Sequence, residues 1–411
     1  MRRIVTLCFL LVIGFNDYAY ASHEPVEHSR VLSLRILSGR RLAKMIVKEE
    51  KEGKYDTLAR VESYYDPRSE ENRLFLSDHI FFDRLRVETD TINPRFMPYL
   101  KNISFGESFL MDHMEVVLSL HMCSSLRRLD VRRNFLAGKI VHLSGLTNLT
   151  DLDVGSNSLK KQVKYLAPLT NLTKLDVSTN PIGKNAAHLS GLRRLTVLSA
   201  DHCSLREDVA HFSRLTNLTW LNVEGNYIGG HESCLKVLTN LTYLNISNNK
   251  ISEGFQHLTT LVNLHTLINR SNELDQHISV LTNLKVLVLG YYPIAEKTEF
   301  LSTLTNLTSL YMARCYVGMH ARHLSRLTNL KKLEIPFNEL GENVQYLSTL
   351  TNLEYLGLDG NGIGGYAHVP LALPKLRYLY LRYDPLFLQD ELEIKKLIAR
   401  GVRVYSFRIY A

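Results

Sequence analysis

Leu169-Thr-Asn-Leu-Thr-Lys-Leu-Asp-Val-Ser-Thr-Asn-Pro-Ile182 is the stretch that decides how this chain folds. Leu175 and Val177 alternate with polar neighbours, the period of a short strand with one buried side. Asn180 then turns the chain, and its amide can satisfy backbone groups of the neighbouring coil. The return segment, Ile182 to Leu192, carries Leu189 and Leu192 at i, i+3, the pattern of a short helix or 3₁₀ turn facing inward.

The same text recurs along most of the chain. Its leading leucines are Leu126, Leu149, Leu172, Leu195, Leu218, Leu241 and Leu264, in steps of 23 residues. One step of 20 leads to Leu284, and steps of 23 resume through Leu307, Leu330, Leu353 and Leu376. Two degenerate starts lie upstream, at Phe82-x-x-Leu85-x-Val87 and Leu100-x-x-Ile103-x-Phe105. A unit this short cannot bury its apolar side alone, so neighbours must stack. Stacking makes a parallel sheet on one side and short helices on the other. The helices are wider than the strands, so the stack is expected to bend, with the sheet on the concave side.

These residues resemble the leucine-rich-repeat family from about Phe82 to Leu386. The Leu169–Ile182 segment is similar to bacterial members, and Ile182–Leu192 to the ribonuclease-inhibitor-like class. The resemblance implies an α/β solenoid, a curved horseshoe with a parallel β-sheet on the concave face and short helices on the convex face. It implies host–microbe contact or effector activity as the setting, and binding of a protein partner as the function. Some secreted bacterial effectors of this family append a ubiquitin-ligase domain, which the residues after Leu386 are too few to hold.

Both ends of a stack need covering. Val31, Leu34, Leu42, Ile46 and Val47 predict a helical N-terminal cap within residues 22–81. A helix from Leu388 to Arg400, stopped by Gly401 and followed by Val402-x-Val404, predicts the C-terminal cap in 387–411. The repeats occupy 82–386. Residues 1–21 read as a secretory signal peptide: Arg2-Arg3, an apolar run Ile4–Phe15, and Ala19-Tyr20-Ala21 before the cut. The expected mature chain is exported, either to the periplasm or beyond.

The strand positions that face the concave side change character along the array. The row begins with Arg128, Asp130, Asp151, Asp153, Lys174 and Asp176. From Trp220 it turns aromatic: Tyr243, Tyr311, Tyr355, Tyr378 and Tyr380. The position before the turn asparagine adds Tyr291, Phe337 and Tyr383. Exposed aromatics that the core does not need serve as binding anchors, so these nine are the candidate partner-binding residues. The bland alternative is cross-strand pairing that only stabilises the sheet.

Asp130, Asp153 and Asp176 form a flat acidic row, which supplies too few ligands for a metal and has Arg128, Arg132, Arg133 and Lys174 nearby. His188, His211, Cys234 and His257 recur on the helical side at a spacing too wide for zinc. Cys123 and Cys234 are too distant to bridge, and Cys203 and Cys315 occupy turn-asparagine positions facing inward, so no disulfide is expected. Sequons at Asn102, Asn148, Asn171, Asn217, Asn240, Asn245, Asn269 and Asn306 largely repeat the Leu-Thr-Asn-Leu-Thr text.

Charge adds little. The net formal charge is +8, but it is dispersed rather than striped, which argues for a solvated surface over nucleic-acid binding. No catalytic motif, metal site or small-molecule cofactor is expected. The alternative function is glycan or envelope binding by the basic N-terminal region. Finally, the 20-residue step at Leu264–Leu284, with Asn269 at a core strand position, predicts a local change in curvature.

Overall fold

The computed structural model describes residues 123–406, Leu120, and two strands upstream. The predicted signal peptide, the predicted helix over 31–47 and the degenerate start at Phe82 lie outside the described residues. The chain divides into two compact units, 1–180 and 181–411.

In the first unit five parallel strands follow chain order: β1 (Phe75–Leu76), β2 (Asn102–Phe105), β3 (Arg128–Asp130), β4 (Asp151–Asp153) and β5 (Lys174–Asp176). The degenerate Leu100 start supplies β2, where Ile103 pairs with Leu129. Its other neighbour is Phe75–Leu76, a strand inside the segment read as helical cap.

The second unit holds ten parallel strands in chain order. They are β6 (Val197–Ser199), β7 (Trp220–Asn222), β8 (Tyr243–Asn245), β9 (Thr266–Arg270), β10 (Val286–Gly290), β11 (Ser309–Ala313), β12 (Lys332–Glu334), β13 (Tyr355–Gly357), β14 (Tyr378–Leu381) and β15 (Arg403–Ser406). Short 3₁₀ turns such as Gly183–Leu189 make most of the returns. One α-helical turn, α1 (His368–Leu371), and a capping helix, α2 (Leu388–Ala399), precede β15. Gly401, at φ +90°, takes the left-handed conformation that ends α2.

The core is a stack of leucines. All twelve leading leucines from Leu126 to Leu376 are buried. Strand residues such as Leu175, Leu221 and Leu333, and return residues such as Leu189 and Phe212, complete it.

The turn asparagines form a buried ladder. Asn249 Nδ2 donates to the carbonyls of Val223 (2.9 Å) and Ile246 (2.8 Å), and its Oδ1 accepts from the Asn226 N–H (2.9 Å). Asn157 and Asn180 repeat this in the first unit. A second, exposed ladder was not foreseen. The asparagine of Leu-Thr-Asn-Leu donates back to the coil before it: Asn240 to Thr216 O (3.0 Å), Asn306 to Thr282 O (2.9 Å), Asn352 to Thr328 O (2.9 Å). The repeated sequon text therefore has a structural use. Asn245 and Asn269 are buried, so neither amide is open to a glycan in the folded chain.

Asp384 occupies the ladder position as an acid. Its Oδ1 accepts from the Gly362 and Ile363 N–H groups (2.5 and 3.1 Å), as an asparagine oxygen would. Its Oδ2 is buried without a partner, where Asn361 in the coil before donates to Ile335 and Leu358 carbonyls. Burial pushes the carboxyl up from its ordinary value by stripping water from its charged form, and the surrounding backbone N–H groups only partly oppose this; the protonated acid can donate as the amide does. Asp384→Asn is expected to raise stability by about 1 kcal/mol at pH 8. The gain should shrink as pH falls through the raised pKa, because protonation restores the donor in the native chain. Thermal melts of both chains at pH 5 and pH 8 check this, and a gain independent of pH would contradict it.

At the 20-residue step, β9, β10 and β11 lengthen to five residues each, against three in β6–β8. Register is kept, with Asn269 opposite Leu289. Strand length thus changes across the irregular step. Asn269 Oδ1 accepts from Asn272 Nδ2 (2.7 Å), and its own Nδ2 is buried without a partner.

Candidate interaction surface

Side chains between the strand leucines stand on the open face of each sheet, opposite the 3₁₀ turns. The parallel register sets them in rows. In the second unit Trp220 lies opposite Tyr243, and Tyr355 lies between Lys332 and Tyr378.

Register brings the nine predicted residues into groups. Trp220 and Tyr243 stack, centroids 4.6 Å apart and planes 11° apart. Burial, with the Glu224 carboxylate next, pushes the Tyr243 phenol up. On β11–β15 the aromatics alternate with cations. Lys332 Nζ sits between the rings of Tyr311 (5.0 Å) and Tyr355 (4.3 Å). Tyr355 meets Tyr378 at 6.3 Å and Tyr380 at 5.1 Å. Arg403 lies over Tyr378 (5.7 Å) and Arg382 over Tyr380 (5.5 Å). Burial, then the Glu334 charge, pushes the Tyr355 phenol up.

Phe337 and Tyr383 make a third group, 5.7 Å apart, with Arg314 over Phe337 at 4.7 Å. The glycine between them explains the reach. A Cβ on Gly360 would fall 2.5 Å from the Phe337 ring, and its φ is +64°. Tyr291, Phe337 and Tyr383 all have left-handed backbones, at φ 59°, 55° and 67°, a conformation bulky side chains adopt at a cost. Tyr291 makes no ring contact among the described residues. The nine are thus separate groups: β9 and β10 place Thr266, Ile268, Val286 and Val288 between the Trp220 pair and the larger cluster.

Sequence reasoning missed several contributors. Tyr405 stacks on Tyr380 at 4.5 Å and 12°; extending the predicted C-terminal strand by one residue would have found it. Lys332, Arg382 and Arg403 were not assigned to the site, although they cap its rings. Tyr227 and Tyr316, one residue after the turn position, are also exposed, at 54% and 49%.

The acidic row of the first unit lies beside several cations. Arg128 and Lys174 pair with Asp151 (3.6 and 3.9 Å), not with Asp130–Asp153–Asp176. Arg132 approaches that row, at 3.3 Å from Asp130 and 3.9 Å from Asp153. Among the described residues no group of His, Cys, Asp and Glu has the arrangement of a metal site. On the helical side the recurring histidines are half-buried or exposed. Among the described residues no disulfide joins Cys123, Cys203, Cys234 and Cys315. Burial pushes Cys123 and Cys315 up to about 12 and Cys234 to about 11. No described helix is long and apolar enough to cross a membrane.

Comparison with known proteins agrees with this architecture. Residues 240–261 match the leucine-rich-repeat family model. An internalin of Listeria monocytogenes is similar in structure at TM-score 0.56 and 24% identity, over 65% of this chain and 78% of that one. A leucine-rich-repeat protein of Leptospira interrogans is similar at TM-score 0.51 and 18% identity, over 77% and 93%. No curated protein matches the chain significantly in sequence. These likenesses show the leucine-rich-repeat fold.

Proposed function

We propose that this leucine-rich-repeat protein is an exported, non-enzymatic binder that takes a protein partner on the open sheet face of its second unit. One observation carries the reading: the interleaved aromatic and cationic side chains of β11–β15, which stand outside the leucine core. Tyrosine, tryptophan and arginine are the residue types that dominate binding energy at interfaces. They are fixed on short strands of a packed sheet, so little ordering entropy is lost on binding. Export rests on the N-terminal signal pattern, and contact between microbe and host is the setting that the family resemblance suggests.

The test is capture of partners by the mature chain, residues 22–411, beside a Trp220→Ala/Tyr243→Ala/Tyr355→Ala variant. Circular dichroism checks that the variant folds. A partner held by the first and weakened at least about tenfold in the second is the expected result. Equal capture would move the site to another surface, and the basic N-terminal region with a glycan or envelope ligand would become the better reading. Raised salt separates the two, since aromatic anchoring persists while basic-patch binding weakens steeply.

A further inference from the structure

Charge is segregated along the open face of the second unit. Beside the Trp220–Tyr243 stack stand two half-exposed carboxylates. Asp201 Oδ1 accepts from Ser199 Oγ and Asn222 Nδ2, both at 2.9 Å. Glu224 accepts from Asn245 Nδ2 and Asn248 Nδ2, both at 2.9 Å. All four donors are neutral, and among the described residues no lysine or arginine forms an ion pair with either acid. The neighbouring basic groups are turned to other uses. The His202 ring lies against the Gly225 backbone, Lys250 is drawn over Tyr227 at 5.0 Å, and Arg270 is exposed on β9, two strands beyond Glu224's coil. Amide clamps hold these carboxylates in place without cancelling their charge.

The other end of the face is cationic. Lys332, Arg382 and Arg403 cap the tyrosines of β11–β14, and Arg314 caps Phe337. Asp359 is taken by Arg382, whose Nη2 reaches its Oδ2 at 2.7 Å, and Glu334 lies 3.9 Å from Lys332. Arg314 and Arg403 have no carboxylate partner among the described residues. A guanidinium lying on a ring uses its flat side and leaves its in-plane N–H donors for an incoming carboxylate. From β7 to β14 is seven strand spacings, about 34 Å, several times the roughly 8 Å screening length at physiological salt. The two ends therefore do not neutralise each other.

We infer that this face selects its partner polypeptide by charge polarity: a basic side chain over Trp220 and Tyr243, between Asp201 and Glu224, and acidic side chains over Arg314 and Arg403. The inference rests on the open-face reading above and adds the chemistry and orientation of what binds. A cation entering the first position meets an indole face or edge and two carboxylates; an anion there meets repulsion from both.

Two synthetic peptides of about twenty residues, identical in composition and net neutral, test it. In one, lysines occupy one end and glutamates the other, with a Gly/Ser/Tyr spacer; in the second the charges alternate. An extended chain of that length, roughly 66 Å, spans both ends of the face. Trp220 is the sole tryptophan, so its emission reports the acidic end directly, while fluorescence anisotropy gives the affinity. The block peptide is expected to bind at least about tenfold tighter than the alternating one and to shift Trp220 emission. Asp201→Asn/Glu224→Gln and, separately, Arg314→Gln/Arg403→Gln should each cut that preference below roughly threefold with circular dichroism unchanged. Equal affinity for the two peptides, or no binding of either at about 1 mM, overturns the inference. Equal affinity that disappears in Tyr355→Ala overturns polarity alone and leaves the open face as the binding surface.

Discussion

Replacing Asn249 by alanine is expected to destabilise the second unit by about 3–5 kcal/mol, because one side chain serves five backbone groups in two adjacent coils at once. Its Nδ2 donates to Val223 O, Ile246 O and Ser247 O, and its Oδ1 accepts from Asn226 N and Ile228 N. The side chain is fully buried. Alanine leaves backbone donors and acceptors in the core with no water to replace the amide, and each orphan costs about 1–3 kcal/mol. Asn240→Ala is the matched control. It also removes a single inter-coil amide, to Thr216 O, but on the exposed ladder where water substitutes; its expected cost is under about 1 kcal/mol. Urea unfolding followed by circular dichroism compares the two. Similar midpoints for both variants would show that burial does not set the ladder's worth.

That contrast also marks what could be read from the sequence. The buried ladder was legible because its asparagine sits at a fixed offset after an alternating apolar pair, and a turn followed by a return leaves its amide nowhere else to go. The exposed ladder was not, because Leu-Thr-Asn-Leu-Thr carries the same letters as a sequon and nothing in one coil reveals the carbonyl in the coil before it. Substitutions in the ladder were legible as exceptions, while their consequences were not. Asp384 keeps the acceptor half of asparagine and loses the donor half. Tyr292, at the same position, reaches instead toward Glu273.

For the candidate surface, strand period told which residues leave the core, and it placed Trp220, Tyr243, Tyr355, Tyr378 and Tyr380 correctly on the open face. Period does not tell which neighbours meet. That depends on registers set between strands, so the separation of Trp220–Tyr243 from the β11–β15 cluster emerged only from the pairing. Nor does it give the partners of charges. Lys332, at a strand position that period alone marks only as facing out, lies between two rings. The left-handed backbone at Tyr291, Phe337 and Tyr383 was hidden too. The same position is left-handed in other coils too, at Ser156, Thr179 and His202 as well as at Gly225 and Gly360, so the conformation belongs to the repeat's turn and only glycine meets it without cost.

The second large effect belongs to the first unit, and its sign is set by crowding. Asp130, Asp153 and Asp176 stand opposite one another on β3, β4 and β5. Burial, then the charges of Asp176 and Asp130, push the middle carboxyl, Asp153, up from 3.8 to about 7; the Gly155 N–H and Arg132 only partly oppose this. An acid whose pKa is higher folded than unfolded holds its proton in the folded chain after the unfolded chain has released it. Stability is therefore greatest below about pH 4 with respect to this group and falls as pH rises toward 7. At about 1.4 kcal/mol per unit, the fall approaches roughly 4 kcal/mol by pH 8. Asp153→Asn removes the charge and retains an oxygen to accept from the Gly155 N–H, a bond of 3.0 Å in the native chain. The variant should match the native chain near pH 4 and exceed it by about 2–4 kcal/mol at pH 8, with the difference opening between those values. Urea unfolding at pH 4.5, 6 and 8 measures it. A constant difference across that range, or a variant less stable at pH 8, would mean that Arg132, at 3.9 Å, outweighs both burial and the two neighbouring carboxylates.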